Sequence, residues 1–323
     1  MTEVLVTGGA GFIGSHVTAE LLRRGHTVRV LDNFSTGRRE NLAAVGGDVE
    51  LVEGDIRSYE RTHAATQGVD RVIHLAALPS VPRSIQDPLT TNEVNVTGTL
   101  NVVLAARDAG TRRVVMASSS SVYGRAQELP KTEALVPQPI SPYGVSKLAA
   151  EQYCMGLNAV YGIEVVALRY FNVFGPRQDP NSQYSGVIPK FLTNALDGVP
   201  WVVFGDGTQS RDFTYVDNVV AATLSASECL LDGPLICNVG CGASHTVVAL
   251  AEAVGRVAER AVQIEYVPAR AGDVLHSFAD ITVAREALGY DPRVDLEQGL
   301  ERTMAWMRAQ RGAGSSVDWS KNR

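Results

Sequence analysis

A glycine-rich loop between an apolar run and a helical pattern constrains this chain more than any other feature. Gly8, Gly11 and Gly14 follow the strand-like run EVLVTG and open residues 12–24, where apolar residues recur at helical spacing. Glycine lets the backbone turn tightly and approach a pyrophosphate, and the helix N-terminus adds free N–H groups and a positive dipole end. A simple tight turn would also use glycines, but the strand before and the helix after favour a dinucleotide-binding loop.

An acidic residue at the end of the next strand-like run supports this interpretation. Asp32 closes TVRVLD, where its carboxylate can accept hydrogen bonds from the adenosine ribose hydroxyls and would repel a 2′-phosphate. This favours NAD over NADP, although Arg38 and Arg39 follow closely enough to reach a phosphate. Asp55 ends the third run, VELVEGD, and is a candidate partner of the adenine amino group.

Strand-like and helical patterns alternate along the first half of the chain. RVIHLAA, RRVVMAS and EVVALRYFNV are strand-like, whereas NVTGTLNVVLAARDAG and SKLAAEQYCMGLNAVYG have helical spacing. Apolar strands that alternate with helices predict a parallel sheet covered on both faces, with right-handed crossovers. We therefore expect an α/β fold, a Rossmann-type doubly wound parallel sheet with a smaller interleaved C-terminal substrate-binding lobe.

The pattern changes after about residue 174, where GPRQDPNSQYSG is typical of a loop. Helical VIPKFLTNALDG and strand-like WVVFGDG follow, PLICNVG returns to a buried-strand pattern, and helices are predicted at 246–258 and 295–309. These changes predict an NAD-binding Rossmann domain at 1–173 with a return segment at about 213–242, a substrate lobe from 174–212 and 243–311, and a flexible tail at 312–323.

Composition and charge limit the functional classes. The chain has 323 residues, 45% of them hydrophobic, and a net charge of −6, which argues against a nucleic-acid-binding protein. Its four cysteines lack CxxC or zinc-site spacing, so buried free thiols and no metal are expected. There is no signal-peptide pattern and no apolar stretch near 18 residues, so a cytoplasmic protein without membrane contact is expected.

A tyrosine and a lysine four residues apart are the strongest catalytic candidates. SPYGVSKLAAEQ places Tyr143 and Lys147 on one face at the start of a predicted helix. Free tyrosine has a pKa near ~10, and an ammonium group and a positively charged nicotinamide could each lower it by roughly 1–3 units. A solvated helix face could carry the same pair. The upstream loop and the serines at 118–121, which end a predicted strand just before Tyr123, favour catalysis.

Together these motifs resemble the extended short-chain dehydrogenase/reductase family, and within it the nucleotide-sugar epimerases. The resemblance covers residues 3 to about 309. It implies an NAD-dependent UDP-sugar 4-epimerase. The matching stretches are TGGAGFIGSH, DNFSTG, GDIR, HLAA, NVTGTLN, SSSSVYG, SPYGVSK, LRYFNVFGPRQ, FGDGTQSRDF and RAGD.

The resemblance implies a role for each matching residue. Tyr143 would be the general base, Lys147 would hold the nicotinamide ribose and lower the pKa of Tyr143, and Ser119 would hydrogen-bond the reacting sugar hydroxyl. The implied NAD site also contains Gly8, Gly11, Phe12, Ile13, Gly14, Asp32, Asn33, Ser35, Gly37, Asp55, Ile56, Leu75, Ala76, Ala77, Asn95, Ser118, Tyr170 and Phe171. The implied substrate site adds Arg83, Ser120, Ser121, Asn172, Val187, Ile188, Val203, Phe204, Arg211, Arg270, Asp273 and Ser277. Asn172 and Arg211 would contact the diphosphate, Arg270 a phosphate and Asp273 the uridine ribose.

The implied reaction oxidises C4 of the sugar and reduces it from the other face. Related 4,6-dehydratases carry Asp-Glu where this chain has Ser120 and Ser121, and uronate decarboxylases generally carry Glu at position 121. A serine hydroxyl cannot do the acid–base work of a carboxyl group, so the serines favour epimerisation. A dehydratase or decarboxylase remains an alternative, as do an oxidoreductase that releases NADH and a non-enzymatic NAD-sensing protein.

One position offers a cue to the sugar. In galactose epimerases a tyrosine beside C2 excludes an N-acetyl group, and the matching position here is the small Ser277. This favours UDP-GlcNAc and UDP-GalNAc, with UDP-Glc and UDP-Gal also accepted, while Arg83 keeps a uronate open. Family members commonly dimerise through a four-helix bundle, and helices at 92–109 and 143–161 would form it, unless they simply cover the sheet.

Overall fold

The computed structural model describes residues 2–180, 186–269 and 274–312. Its strands are β1 (Glu3–Thr7), β2 (Thr27–Asp32), β3 (Glu50–Glu53), β4 (Arg71–His74), β5 (Arg113–Ser119), β6 (Glu164–Tyr170), β7 (Val173–Phe174), β8 (Trp201–Phe204), β9 (Ser210–Arg211), β10 (Thr214–Tyr215), β11 (Leu235–Val239), β12 (His245–Thr246), β13 (Ile264–Val267) and β14 (His276–Ser277). Its α-helices are α1 (Phe12–Arg23), α2 (Arg39–Ala43), α3 (Tyr59–Thr66), α4 (Val81–Gln86), α5 (Pro88–Asn92), α6 (Thr99–Asp108), α7 (Pro142–Tyr161), α8 (Val187–Asp197), α9 (Val216–Glu228), α10 (Val247–Ala258), α11 (Thr282–Leu288) and α12 (Leu296–Gly312).

Seven strands form one parallel sheet in the order β11–β6–β5–β4–β1–β2–β3. The chain builds outward from β1 to β3, then crosses back and builds from β4 to β6 on the other side. This confirms the predicted Rossmann-type doubly wound sheet. In such sheets ligands bind outside the carboxyl ends of the strands where the order reverses, which here is the boundary between β1 and β4.

The chain leaves this sheet after β6 and returns to it with β11. Leu235 to Val239 pair in parallel with Val166 to Tyr170. Between and after these strands lie small pairings, β8 with β13 and β12–β9–β14. The apolar core is continuous across both parts, because Val17 beneath the sheet belongs to the same buried cluster as Phe191, Trp201 and Leu250.

The helix predicted at 92–109 is interrupted. A π-helical turn, Glu93–Gly98, lies between α5 and α6. A run of apolar residues at roughly helical spacing does not reveal one wider turn of this kind. At Gly98 a Cβ would lie 2.6 Å from the side chain of Ile56, so this turn packs directly on the residue that follows Asp55. π-Turns often mark functional sites, and this one contains Asn95.

The cysteines are free thiols, as predicted, but only two of them are buried. Cys154 and Cys237 are buried, whereas Cys229 and Cys241 are partly exposed. Within the described part of the chain, every helix is too short or too polar to span a membrane.

His74 at the end of β4 is buried in its neutral form. Its Nδ1 lies 2.7 Å from the hydroxyl of Thr7, and its Nε2 lies 2.9 Å from that of Thr99. Because the Thr99 hydroxyl donates to the carbonyl of Asn95, Nε2 must donate to Thr99 and Nδ1 must accept from Thr7. Burial lowers the pKa of His74 to about 3, from 6.5.

This burial predicts an acid-sensitive fold. Unfolding frees His74 to take up a proton, so the stability that neutral His74 contributes is complete above pH 6.5 and is lost as the pH falls toward 3. Over that window the free energy of unfolding should fall by up to about 1.4 kcal/mol per pH unit for this group. Urea titrations of a His74→Gln variant should therefore show a flatter pH dependence than the wild type. Parallel slopes would contradict this assignment.

Candidate active site

The glycine loop after β1 folds back on itself. Gly8 has a φ of +74°, and a Cβ there would lie 2.6 Å from the backbone nitrogen of Ala76. A Cβ on Gly14 would lie 2.1 Å from the carbonyl oxygen of Gly8. α1 begins after Gly11, which has no side chain to cap the first N–H groups of the helix. The loop therefore fits a pyrophosphate, because its backbone is uncovered and the helix dipole points toward it.

Asp32 ties this loop to the end of β2. Its carboxylate accepts the backbone N–H of Ala10 at 2.9 Å and that of Phe34 at 2.8 Å. Burial raises the pKa of Asp32, and these two hydrogen bonds oppose the rise. Each carboxylate oxygen accepts one backbone bond and keeps a further lone pair, so the group fits the predicted contact with ribose hydroxyls. A Cβ on Gly37 would lie 2.9 Å from the same carboxylate, so the chain passes close to it.

The two arginines that could have favoured NADP have acidic partners. Arg38 pairs with Asp179 at 3.1 Å, and Arg39 pairs with Glu53 at 2.5 Å. A 2′-phosphate would have to compete with both carboxylates as well as with Asp32. The preference for NAD that Asp32 indicates is therefore reinforced.

The Asp55 side chain also has hydrogen-bond partners within the protein. Its carboxylate accepts from Arg57 at 2.8 Å and from the side-chain amide of Asn33 at 2.9 Å. The Arg57 guanidinium lowers the pKa of Asp55. Contact with the adenine stays a prediction, as do the NAD contacts of Ser35 and of Phe12 and Ile13 in the first turn of α1.

The predicted catalytic residues meet where β5 faces α7. Ser119 is the last residue of β5, and α7 begins after Ser141, whose hydroxyl accepts the N–H of Gly144 at 3.1 Å. This cap, followed by a proline, places Tyr143 in the first turn of the helix. The Tyr143 phenol lies close enough to the Ser119 hydroxyl for that hydroxyl to affect its pKa. Lys147, one turn later, donates to the carbonyl of Ala117 at 2.8 Å.

The pKa of Tyr143 differs from the sequence-based expectation. Burial raises it, and the hydrogen bond with Ser119 opposes that rise. The expected lowering by Lys147 is not among the effects on this phenol, and the ammonium group donates to the carbonyl of Ala117. Burial also lowers the pKa of Lys147 to about 8.

The four serines have different surroundings. Ser118 points toward α7 and donates to Glu151 at 2.7 Å, whereas Ser119 accepts the N–H of Ser121 at 3.1 Å and faces Tyr143. Ser120 and Ser121 begin a 3-10 turn and are partly exposed. The Ser118 hydroxyl is buried against Glu151. The predicted contact of Ser118 with NAD would therefore use its backbone.

Several predicted NAD contacts have side chains that face the protein. Asn95 accepts the N–H of Leu78 at 2.8 Å and donates to Ser146 at 3.0 Å, which fastens the segment after β4 to α7. Tyr170 hydrogen-bonds Thr223 at 2.7 Å, and Phe171 is fully buried. The predicted NAD contacts of Asn95, Tyr170 and Phe171 would therefore involve mainly their backbone atoms. Leu75, Ala76 and Ala77 directly follow β4, at the carboxyl end of the sheet.

Two predicted substrate residues lie side by side in the small sheet. Arg211 in β9 and Ser277 in β14 are register partners. Arg211 donates to the carbonyls of Ser210 at 2.9 Å and Leu275 at 3.1 Å. Asn172 has a φ of 28° and donates to the carbonyl of Asp212 at 3.0 Å.

The remaining substrate predictions are less uniform. Ile188 and Val203 have their side chains in the apolar core, whereas Val187 and Phe204 are partly buried beside it. Arg83 lies in α4. Arg270 and Asp273 lie outside the described residues.

Two buried carboxylates had escaped the sequence reasoning. Asp212 accepts the backbone N–H groups of Cys241 at 2.8 Å, Gly242 at 3.0 Å and Ala279 at 3.2 Å, and burial raises its pKa to about 6. It thereby fixes the strand that carries Arg211. Glu151 pairs with Arg169 beneath the serines. Both stand inside quoted motifs, but only the fold shows that they are buried.

Comparison with known proteins places the chain in a family. The model of the NAD dependent epimerase/dehydratase family matches residues 4–240. A UDP-glucose 4-epimerase from Mycolicibacterium smegmatis is 40% identical over 310 residues, which cover 95% of this chain and 98% of that protein. The chain therefore belongs to the NAD-dependent epimerase/dehydratase family. It is an enzyme with epimerase activity, of the short-chain dehydrogenase/reductase type, and NAD is its cofactor.

Solved structures show the same relationship. The UDP-N-acetylglucosamine 4-epimerase from Methanobrevibacter ruminantium, in complex with UDP-N-acetylmuramic acid, has a TM-score of 0.91 and 38% identity, and the match covers 96% of this chain and 99% of that one. The UDP-glucose 4-epimerase of Thermus thermophilus, in complex with NAD, has a TM-score of 0.87 and 38% identity over 95% of this chain and 99% of that one.

Proposed function

We propose that this enzyme inverts C4 of a UDP-sugar through a transient 4-keto sugar. The observation that carries the proposal is that Tyr143 lies beside Ser119 at the carboxyl end of the sheet, with Lys147 one turn along the same helix. The glycine loop and Asp32 lie at the same end of the sheet, where the strand order reverses. The proposed proton acceptor, Tyr143, and the proposed NAD site therefore lie at the same end of the sheet.

The protein groups divide the proton chemistry. Ser119 holds the 4-hydroxyl, and Tyr143 takes its proton and later returns it. NAD, when bound, would supply the hydride chemistry: NAD⁺ would accept the hydride from C4, and the NADH so formed would return it to the other face of the keto sugar. Because burial raises the pKa of Tyr143 in the protein alone, stabilisation of the phenolate falls to Lys147 and to the positive charge of the bound cofactor.

The identity of residues 120 and 121 limits the reaction to inversion. Ser120 and Ser121 follow the Ser119 position directly, and both are partly exposed. A carboxyl group is needed at these positions for elimination of water or loss of carbon dioxide by the related enzymes that the sequence resembles. With the hydroxyl groups of Ser120 and Ser121 there instead, the site supports proton transfer at C4.

The proposed substrates are UDP-GlcNAc and UDP-GalNAc, with UDP-Glc and UDP-Gal also accepted. Arg211 would be a cation for the diphosphate, and its register partner Ser277 is small, which favours a substrate with an N-acetyl group. Each UDP-sugar should be incubated with the enzyme and its C4 configuration read by NMR, while NADH is followed by absorbance. Turnover without NADH release supports the proposal. Steady NADH production, or unchanged UDP-GlcNAc and UDP-GalNAc, would overturn it.

Position 277 gives a sharper test of the sugar. A Ser277→Tyr variant should lose activity on the N-acetylated pair by at least tenfold while retaining the neutral pair, because the ring fills the space beside C2. A Ser277→Ala variant controls for loss of the hydroxyl and should keep both activities. Equal losses on both pairs in the tyrosine variant would refute this placement of Ser277.

We also propose the organisation in which the enzyme works. Residues 1–173 and about 213–242 bind NAD, and residues 174–212 and 243–311 hold the UDP-sugar. Of the tail predicted at 312–323, residue 312 belongs to α12 and residues 313–323 lie outside the described residues. Val145, Tyr153 and Val160 are exposed apolar residues on α7. They support a homodimer in which α6 and α7 form a four-helix bundle with their copies, and a monomeric mass in solution would exclude it. The proposed location remains the cytoplasm.

A further inference from the structure

The helix that carries Tyr143 contacts the end of β5 at three successive turns. Tyr143 lies beside Ser119, Lys147 donates to the carbonyl of Ala117, and Glu151 accepts from the hydroxyl of Ser118. These three helix residues are each four positions apart, so they share one face of α7. The first two contacts involve proposed catalytic groups, whereas nothing in the proposed reaction uses Glu151.

Glu151 is fully buried and has a charged partner. Its carboxylate accepts two bonds from Arg169 of β6, at 2.6 Å and 3.0 Å, in addition to the 2.7 Å bond from Ser118. Arg169 is 3% exposed and donates at 3.0 Å to the hydroxyl of Tyr123. That hydroxyl donates in turn to the side chain of Asn238 in β11 at 2.6 Å. One chain of bonds therefore joins α7, β5, β6 and β11.

A buried ion pair is not by itself a source of stability. The cost of removing two charges from water often matches their attraction, and an apolar pair of similar size can be equally stable. The bidentate geometry between guanidinium and carboxylate does, however, fix direction and distance. Here it fixes the carboxylate to which Ser118 is bound, and Ser118 immediately precedes Ser119.

We propose that Glu151 is a positioning residue: held by Arg169, it binds Ser118 and so sets the distance between Ser119 and Tyr143. This role rests on the proposed function, since it matters for a reaction in which both groups contact the sugar hydroxyl. A displacement of about 1 Å in such a pair can cost on the order of 10²-fold in rate.

Two variants separate positioning from general stability. Ser118→Ala removes the bond to Glu151 and leaves the Glu151–Arg169 pair intact, so it is the variant expected to fold. Glu151→Gln keeps the shape of the side chain but removes its charge. Glu297→Gln is the matched control, because Glu297 also pairs with an arginine, Arg256 at 2.9 Å, but on the exposed surface.

The first readout is steady-state kinetics on a UDP-sugar epimerised by the wild type. For Ser118→Ala and Glu151→Gln, kcat per NAD-loaded protein should fall about 10- to 100-fold, with KM and NAD content changed less than about twofold. Glu297→Gln should match the wild type. An unchanged kcat in Ser118→Ala, or a loss explained by lower NAD content, would overturn the proposal. If Glu151→Gln does not fold, the kinetics of Ser118→Ala alone decide the test.

The second readout does not depend on turnover. Ultraviolet difference titration of each protein against its Tyr143→Phe counterpart isolates the Tyr143 phenol. Because the bond from Ser119 lowers the pKa of Tyr143, a displaced Ser119 should raise the apparent pKa in Ser118→Ala. An identical titration would overturn the proposal. If the wild type epimerises no UDP-sugar, the proposed function fails, and this titration still decides whether Ser118 positions Ser119.

Discussion

A Tyr143→Phe variant is expected to lose about 10²- to 10⁴-fold in kcat while it keeps its fold and its NAD. The substitution removes only the hydroxyl that exchanges a proton with the sugar. The ring still fills its place in the first turn of α7, and the glycine loop and Asp32 are untouched. KM should therefore change far less than kcat, as for a group that acts in the transition state.

The matched control is Tyr266→Phe, which removes a tyrosine hydroxyl from the exposed strand β13. It should leave kcat at the wild-type value. Epimerisation is measured by NMR, and NAD content by absorbance after the protein is unfolded. A Tyr143→Phe enzyme with more than about a tenth of wild-type kcat would refute Tyr143 as the general base.

A Gly14→Ala variant should fail to bind NAD and should therefore be inactive. Its new Cβ would lie 2.1 Å from the carbonyl oxygen of Gly8 and 2.8 Å from the backbone of Gly9. Both neighbours are backbone, so the loop itself has to move. A displaced loop no longer presents its N–H groups to the pyrophosphate.

Gly156→Ala is the matched control, because nothing lies within 4 Å of its added Cβ in α7. Alanine replaces glycine inside a helix there, so the control should be more stable by about 0.5–1 kcal/mol and should retain NAD. Purified protein is compared for NAD content and for affinity by calorimetry. Wild-type NAD content in Gly14→Ala would show that the loop tolerates a side chain, contrary to its geometry.

The main sheet could be predicted because its signals are local. Apolar runs, glycine after β1 and the acidic Asp32 at the end of β2 are each recognised from their neighbours in sequence. The π-turn at Glu93–Gly98 could not, because a single wider turn is too short to stand out in an apolar pattern. The burial of Phe171 just after β6 could not be predicted for a related reason: the end of a strand reads the same whether the next side chain faces a ligand or the core.

The electrostatics of the site were harder still to predict. The spacing of Tyr143 and Lys147 correctly places them on one face, but the pKa of Tyr143 depends on how deeply the phenol lies and on where the ammonium group points. The burial and pairing of Glu151 and Asp212 could not be predicted either. Their partners, Arg169 and the N–H groups of the loop after β11, come from distant parts of the chain.

The return of β11 to the main sheet has a consequence for synthesis in the cell. While the chain leaves the ribosome, β6 is an open edge until residues 235–239 have emerged, since these residues are its outer partner. The bond chain from Arg169 through Tyr123 is also incomplete until Asn238 has emerged, because Asn238 accepts from the Tyr123 hydroxyl. Unpaired strand edges invite aggregation. A nascent chain stalled before β11 should therefore need a chaperone, and a fragment that ends after β6 should be insoluble even though it contains the glycine loop, Tyr143 and Lys147.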